Sequence, residues 1–318
     1  MKQLVKIWIL VAAIVMGGAL PPQVMGDNGI TAQWCAQAKS KKKKSKKKSK
    51  KKSQKTKKSK ESKKSRKTSV IASPLVSVPT IGQSRQAAAP QQAANALMAV
   101  TIPKGVPNQV INYQAIRVNF NPSLRIPNCV AYELTATMVD MADAPGHEVR
   151  KSYNYARDPQ VNTCPENWEY RGSGYSRGHM APAMDMRWSK TTMAQCFYMT
   201  NMCPQDTKLN NDHWRVLEEK VHRWAKRDKR LMVYTGPIMG KNPKMIGKDK
   251  PNIAVPDAFF KVVYAPGQNR AIAFIYSNKP CPGGISKYAV TVAEVERRTG
   301  LTFSSSIPKR QCRVEDWE

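Results

Sequence analysis

From about residue 105 the chain sets apolar and polar positions in short blocks, and the period of each block predicts its element. "CVAYELTATMV" (Cys129–Val139) alternates, with Val130, Tyr132, Leu134, Ala136 and Met138 on one face, which predicts a half-buried strand. The β-rich runs at 230–236, 258–265 and 270–277 are bounded by Gly, Pro or Asn and predict three more. In "LNNDHWRVLEEKVHRWAKR" (209–227), Trp214, Leu217, Val221 and Trp224 form one apolar stripe at helical spacing. Asp206 or Thr207 is placed to cap that helix. A second helix is expected over 290–300, ending at Gly300. Strand runs with interspersed helices, and no regular βα alternation, predict an α+β fold around an antiparallel sheet. About 210 residues suit one domain, taken as 105–312 with a tail at 313–318.

The first third is patterned differently. Residues 1–26 have a short basic start, the apolar run Ile7–Leu20 and small residues before Asp27, as in a signal peptide cut near Gly26. The run is short for a membrane span, which needs about 20 apolar residues. Export to the periplasm or the extracellular space is the expectation, although the charge downstream opposes translocation. After a short segment at 27–38, residues 39–67 hold 19 Lys/Arg and one Glu. With no apolar residue to bury, this tract is expected to be extended and disordered. Residues 68–104, rich in Ala, Gln, Pro, Ser and Val, read as a linker.

Charge narrows the partners. The whole chain is +31, and residues 68–318 alone retain about +12. Both favour a polyanion, which a lysine tract binds by releasing counterions. An acidic cell-surface polymer is a second candidate for the tract. Seven cysteines suit an oxidising compartment and predict disulfides, with at least one thiol unpaired or joined between chains. There is no Cys-x-x-Cys pair, and the four histidines lack zinc-ligand spacing, which excludes a zinc hydrolase.

The informative stretch is "YSRGHMAPAMDMRWS" (175–189), followed by "FYMTNMCPQ" (197–205) and "LNNDHWRVLEE" (209–219). Arg-Gly-His alone is a weak signal. The three segments together resemble the active-site region of the DNA/RNA non-specific endonucleases, the ββα-metal or His-Me finger nucleases. The matching residues are Arg177, Gly178 and His179, then Asn201, Pro204 and Gln205, then Leu209, Asn210, Trp214 and Glu218. Weaker resemblance runs from about Asn112 to Pro308. It implies a central antiparallel sheet flanked by helices, and Mg²⁺-dependent hydrolysis of DNA and RNA leaving 5′-phosphate ends. Mn²⁺ or another divalent cation is a possible substitute.

The residue types fit that chemistry. A neutral His with an ordinary pKa of about 6.5 serves as a general base at neutral pH, the role of His179. In an extended segment residues two apart share a face, so Arg177 and His179 can approach one phosphate together. The resemblance makes Asn210 the direct protein ligand of the metal and gives Glu218 the metal's waters to hold. In a regular helix Glu218 lies about 80° round from Asn210, two turns on. Asn201 is implied to help position the site. Arg150 is the nearest candidate for a further upstream phosphate-binding arginine.

Some positions depart from the family pattern or carry no chemistry. Ser176 replaces the Asp that precedes Arg-Gly-His, which predicts altered support with activity retained. His222 reads as a helix-surface residue, or else as a weaker phosphate contact where one branch has an arginine. His213 reads as helix surface, His147 has no assigned role, and Trp214 is expected to pack in the core. The competing function is a nuclease-fold envelope protein that binds polyanions without turnover.

Overall fold

The computed structural model describes residues 95–311 and 313–318. The expected signal peptide, the 27–38 segment, the lysine tract, most of the linker, Cys35 and Cys312 lie outside the described residues.

A seven-stranded antiparallel sheet forms the frame. Its strands are β1 (Gln109–Asn112), β2 (Ile116–Asn121), β3 (Ile126–Thr135), β6 (Arg230–Ile238), β9 (Ala258–Ala265), β10 (Arg270–Ser277) and β11 (Ala289–Val290), paired in that order. A second, two-stranded sheet pairs β4 (Tyr175–His179) with β5 (Met202–Asp206), and a third pairs β7 (Met245–Ile246) with β8 (Ile253–Ala254). The runs read as strands at 230–236, 258–265 and 270–277 are β6, β9 and β10. Period-two alternation sends their side chains to two cores. Along β9, Phe259 and Val263 face one core while Phe260, Val262 and Tyr264 face the other.

The first core is covered by α1 (Ala136–Asp143), α2 (Ala183–Met186), α3 (Lys190–Cys196), the β4–β5 hairpin and the long α4 (Arg215–Asp228). The stripe Trp214, Leu217, Val221 and Trp224 is buried there, as its spacing predicts. The second core is covered by α5 (Val292–Thr299), whose Val292 and Val295 pack inward. Thr291 caps α5, and left-handed Gly300 (φ 72°) ends it, as expected.

Three boundaries differ from the sequence reading. The strand expected to reach Val139 stops at Thr135, whose hydroxyl accepts from the Met138 amide and starts α1. A local cap outcompetes the continued alternation. The domain begins before residue 105: Leu97, Met98, Val100 and Ile102 pack on the second core, and Thr101 pairs with Thr302. At the other end the expected tail docks, because Trp317 is large enough to bury, 1% exposed against Trp224 and beneath the Arg270 guanidinium.

Among the described residues the disulfide expectation is not met. Cys129, Cys164, Cys196, Cys203 and Cys281 are buried, unpaired thiols. They pack as small apolar side chains, and burial pushes the Cys164 thiol up to about 12, far from thiolate reactivity.

Candidate active site

Strand β4 carries the motif in extended form, so Tyr175, Arg177 and His179 share one face, as the two-residue spacing predicts. Gly178 and Ser176 point to the other. A Cβ on Gly178 would lie 2.2 Å from Gln205 Oε1 and 2.6 Å from Gln205 Cβ, so only glycine lets β4 lie against β5 there. Ser176 bonds the Thr207 hydroxyl at 3.0 Å. It therefore braces the segment entering the helix and stays on the face opposite Arg177 and His179.

Aromatic rings enclose the two functional side chains on this face. The His179 ring packs on Phe197 at 4.9 Å and Tyr155 at 5.7 Å between centroids. Burial, then the nearby Arg150 charge, push its pKa down to about 3, so the imidazole is neutral. Its Nε2 is buried with no hydrogen-bond partner, a free lone pair or proton site of the kind a base needs. The Arg177 guanidinium lies 5.4 Å from the centroids of both Tyr155 and Tyr170 and donates to the Asn167 carbonyl at 2.6 Å. Burial lowers its pKa, yet an arginine remains charged. Lys244 sits 5.1 Å over the Tyr175 ring and extends the row of cations.

Arg150, far from His179 in sequence, is brought to the same place. It donates to the Tyr155 hydroxyl at 2.8 Å and lies 5.4 Å from the Phe197 ring centroid, against both rings that hold His179. Asn201 works from below. Its amide oxygen accepts from the Ala181 amide at 2.9 Å, while its nitrogen donates to the Ala181 and Cys196 carbonyls at 2.9 and 2.8 Å. The side chain is 1% exposed and spent on backbone. Asn201 thus clamps the turn that follows His179.

Strand β5 leads directly into the helix. Asp206, one of the two predicted caps, accepts from the Lys208 and Leu209 amides at 2.9 and 2.8 Å. The next turn, Leu209–Trp214, is π-helical. One extra residue in the turn lets the eight steps from Asn210 to Glu218 cover the arc of seven in a regular helix, about 700°, within ~20° of two turns. The two side chains are therefore closer to one face than an unbroken helix allows. The Asn210 nitrogen is held by the Asn211 side chain at 3.0 Å. Half-buried Glu218 is pushed up to about 8, first by burial and further by Asp185, with Lys261 opposing. The Trp214 indole nitrogen favours the charged form without making a well-formed hydrogen bond.

These donors suit a hard divalent cation. Asn210 and Glu218 offer oxygen ligands, and the described residues contain no group of three or more His, Cys, Asp or Glu that could hold a metal ion. A cation that keeps most of its waters, as magnesium does, needs no such cage.

His222 is placed differently from expectation. It is 7% exposed, bonded through Nδ1 to Asp185 at 2.7 Å and through Nε2 to Asp143 at 3.3 Å. Burial opposes its charge, but the two carboxylates outweigh burial and raise its pKa. Trp214 is core, as read. The residues that sequence reasoning missed are the cage (Tyr155, Tyr170, Phe197) and the buried polar set Asp185, His222 and Lys261. Lys261 left one signal, a lone charge inside the apolar run "AFFKVVYA".

Comparison with known proteins agrees with this geometry. Residues 93–310 match the family model of the DNA/RNA non-specific endonucleases. "Nuclease 1, mitochondrial" of Schizosaccharomyces pombe is 33% identical over 232 residues, 65% of this chain and 69% of that protein. "Endonuclease G, mitochondrial" of Homo sapiens is 32% identical over 176 residues, 51% of this chain and 59% of that protein. Among solved structures, the complex of EndoG with EndoGI contains a chain that superposes with a TM-score of 0.58 at 27% identity, covering 63% of this chain and 87% of that one. With the hairpin, the π-turn helix and the aromatic-enclosed Arg-Gly-His in place, the chain belongs to the DNA/RNA non-specific endonuclease family.

Proposed function

We propose that this endonuclease hydrolyses phosphodiester bonds of both DNA and RNA with little sequence preference, uses Mg²⁺, and leaves 5′-phosphate ends. The supporting observation is the pairing of β4 with β5, which sets a neutral, uncommitted imidazole and a ring-held guanidinium beside a helix carrying two oxygen donors. His179 takes the proton of the attacking water. Arg177, with Arg150 and Lys244 nearby, binds the phosphate and the charge that grows on it. Contacts of this kind fall on phosphates, which carry no sequence information. Asn210 and Glu218 would hold the metal, Asn210 directly and Glu218 through its waters. When bound, the ion supplies charge for the phosphate oxygens and the departing 3′ oxygen, and Mn²⁺ can take its place.

A pKa as low as about 3 makes a weak base. The incoming phosphate carries negative charge to the same face, which favours the protonated ring and raises its basicity when it is needed.

For location, we propose export. Residues 1–26 contain Lys2 and Lys6 but no arginine, with an apolar run and no amphipathic Arg-rich pattern. The lysine tract would gather substrate, or tether the enzyme to an acidic surface. The competing binder reading is tested alongside catalysis. Plasmid DNA and total RNA are incubated with Mg²⁺, with excess EDTA, and with His179→Ala. Cleavage that needs the metal and is lost in the variant is expected. Tight binding without cleavage, unchanged in the variant, would make the protein a binder.

A further inference from the structure

Among the described residues Trp168 is the one exposed tryptophan, at 40%; Trp188 is partly buried, and Trp214, Trp224 and Trp317 are buried. It sits in the 3₁₀ turn Asn167–Tyr170, ahead of strand β4. The other members of the turn fix it in place. The Glu166 amide donates to the Glu169 carboxylate at 2.7 Å, and that carboxylate accepts a forked pair of bonds from Arg125 at 2.6 and 2.8 Å. Three residues complete a 3₁₀ turn, so the side chains of Trp168, Glu169 and Tyr170 leave in three directions. Glu169 and Tyr170 take the two that lead into the protein, and Trp168 takes the one that leads to solvent.

A lone exposed apolar side chain is ordinary. This one stands at the phosphate-binding arginine. Arg177 donates at 2.6 Å to the Asn167 carbonyl, the oxygen of the peptide bond that joins Asn167 to Trp168. The fixed dimensions of a trans peptide then put the Trp168 Cα within about 6 Å of the guanidinium. The Tyr170 ring, from the same turn, lies 5.4 Å from that guanidinium. Phosphates recur about every 3.4 Å along one strand of a double helix. A strand with one phosphate on Arg177 therefore carries an adjoining nucleotide past Trp168. Exposed Arg171, next after the turn, adds a cation on the same path, and Glu166, just before the turn, is matched by Arg157 at 3.8 Å. A rigidly mounted ring among cations suits a ligand that alternates anionic charge with flat π faces, which a nucleic acid has and an acidic polysaccharide lacks.

We propose that Trp168 is a stacking platform for an unpaired nucleobase beside the phosphate held by Arg177, and that it makes the enzyme favour single-stranded over duplex substrate. Bases in a duplex stack on one another and offer only their edges in the grooves. An unpaired base offers its face, and every base has one, so the platform adds affinity without sequence preference. The proposal rests on the reading of Arg177 as the residue that binds phosphate.

The test compares the full chain with Trp168→Ala and Trp168→Phe on a short oligothymidylate, on the abasic oligomer of the same length, and on the blunt duplex of the same thymidylate strand. The two single strands carry the same phosphates, so the lysine tract and the arginines contribute alike to both. We would measure kcat/KM with Mg²⁺ and, with EDTA in place of the metal, equilibrium binding by fluorescence anisotropy. Trp168→Ala should lower both values about tenfold on the oligothymidylate and far less on the abasic oligomer and the duplex. Trp168→Phe should recover most of the loss, because its ring still stacks. An equal loss on the oligothymidylate and the abasic oligomer would mean that Trp168 only props the turn against Arg177, and would overturn the proposal. No loss on either, or an equal loss on duplex and single strand, would overturn it too. A wild-type protein that binds these probes without cleaving them would sink the nuclease reading instead, and the binding comparison in EDTA would still decide whether Trp168 stacks a base.

Discussion

The two halves of the site treat charge in opposite ways and reach the same condition. On strand β4 the groups are basic, and aromatic burial pushes His179 and Arg177 down toward their neutral forms. On the helix the group is acidic, and burial pushes Glu218 up to about 8. The two halves suit charges of opposite sign: a phosphate at the strand and, on the proposed reading, a cation at the helix. The difference teaches that desolvation here is symmetric, so stability is given up on both sides and regained when substrate and metal arrive.

The strand half can be broken most completely. His179→Ala should reduce kcat by about 10²–10⁴-fold while DNA binding persists, measured by single-turnover cleavage and by a gel-shift titration. Smaller, and mechanical, is Gly178→Ala. The added methyl meets Gln205 at 2.2 Å and should cost about 1–3 kcal/mol by urea denaturation, with activity falling as β4 is pushed off β5.

The helix half should respond with the opposite sign in stability. An acid whose pKa is about 8 folded and about 4.3 unfolded contributes stability that is present at pH 4 and lost as pH rises toward 8. Glu218→Gln removes that loss. In EDTA at pH 8 the variant should melt higher than wild type, by about 2–4 °C for each kcal/mol, with no difference near pH 4 and no cleavage restored at either pH. A variant less stable at pH 8 would refute the symmetry. The smallest effect on turnover is expected from deleting residues 39–67: long DNA should be captured less well at low salt, and a short oligonucleotide turned over almost as before. An equal loss on both would leave the tract without a capture role.

Much of this was legible in the sequence because local signals and packing agree. β9 and β10 are apolar runs with clear stops, and the α4 stripe matches the helical period, so tertiary structure only had to bury what was already sorted. Arg177 and His179 were readable because alternation fixes their common face. What was illegible depended on partners distant in sequence. Tyr155 encloses His179 only because Tyr198 beside Phe197 pairs with Ala156. His222 looks solvent-facing from its position in the helix, and only Asp185 and Asp143 explain its burial. Trp317 follows a polar stretch, and nothing local announces the hydrophobic contact with Trp224. The five described cysteines misled because the number of cysteines suggests cross-links, whereas these five pack as apolar filler.

The π-helical turn at Leu209–Trp214 loosens the link between sequence length and site geometry. Counted along the chain Asn210 and Glu218 are eight apart, yet in rotation they behave as seven. Removing one residue from that turn would let the backbone relax to an ordinary α-helix with both oxygens still on one face. The helix therefore has a built-in allowance for a one-residue deletion, whereas β4 has none: shortening it by one residue would carry either Arg177 or His179 to the wrong side.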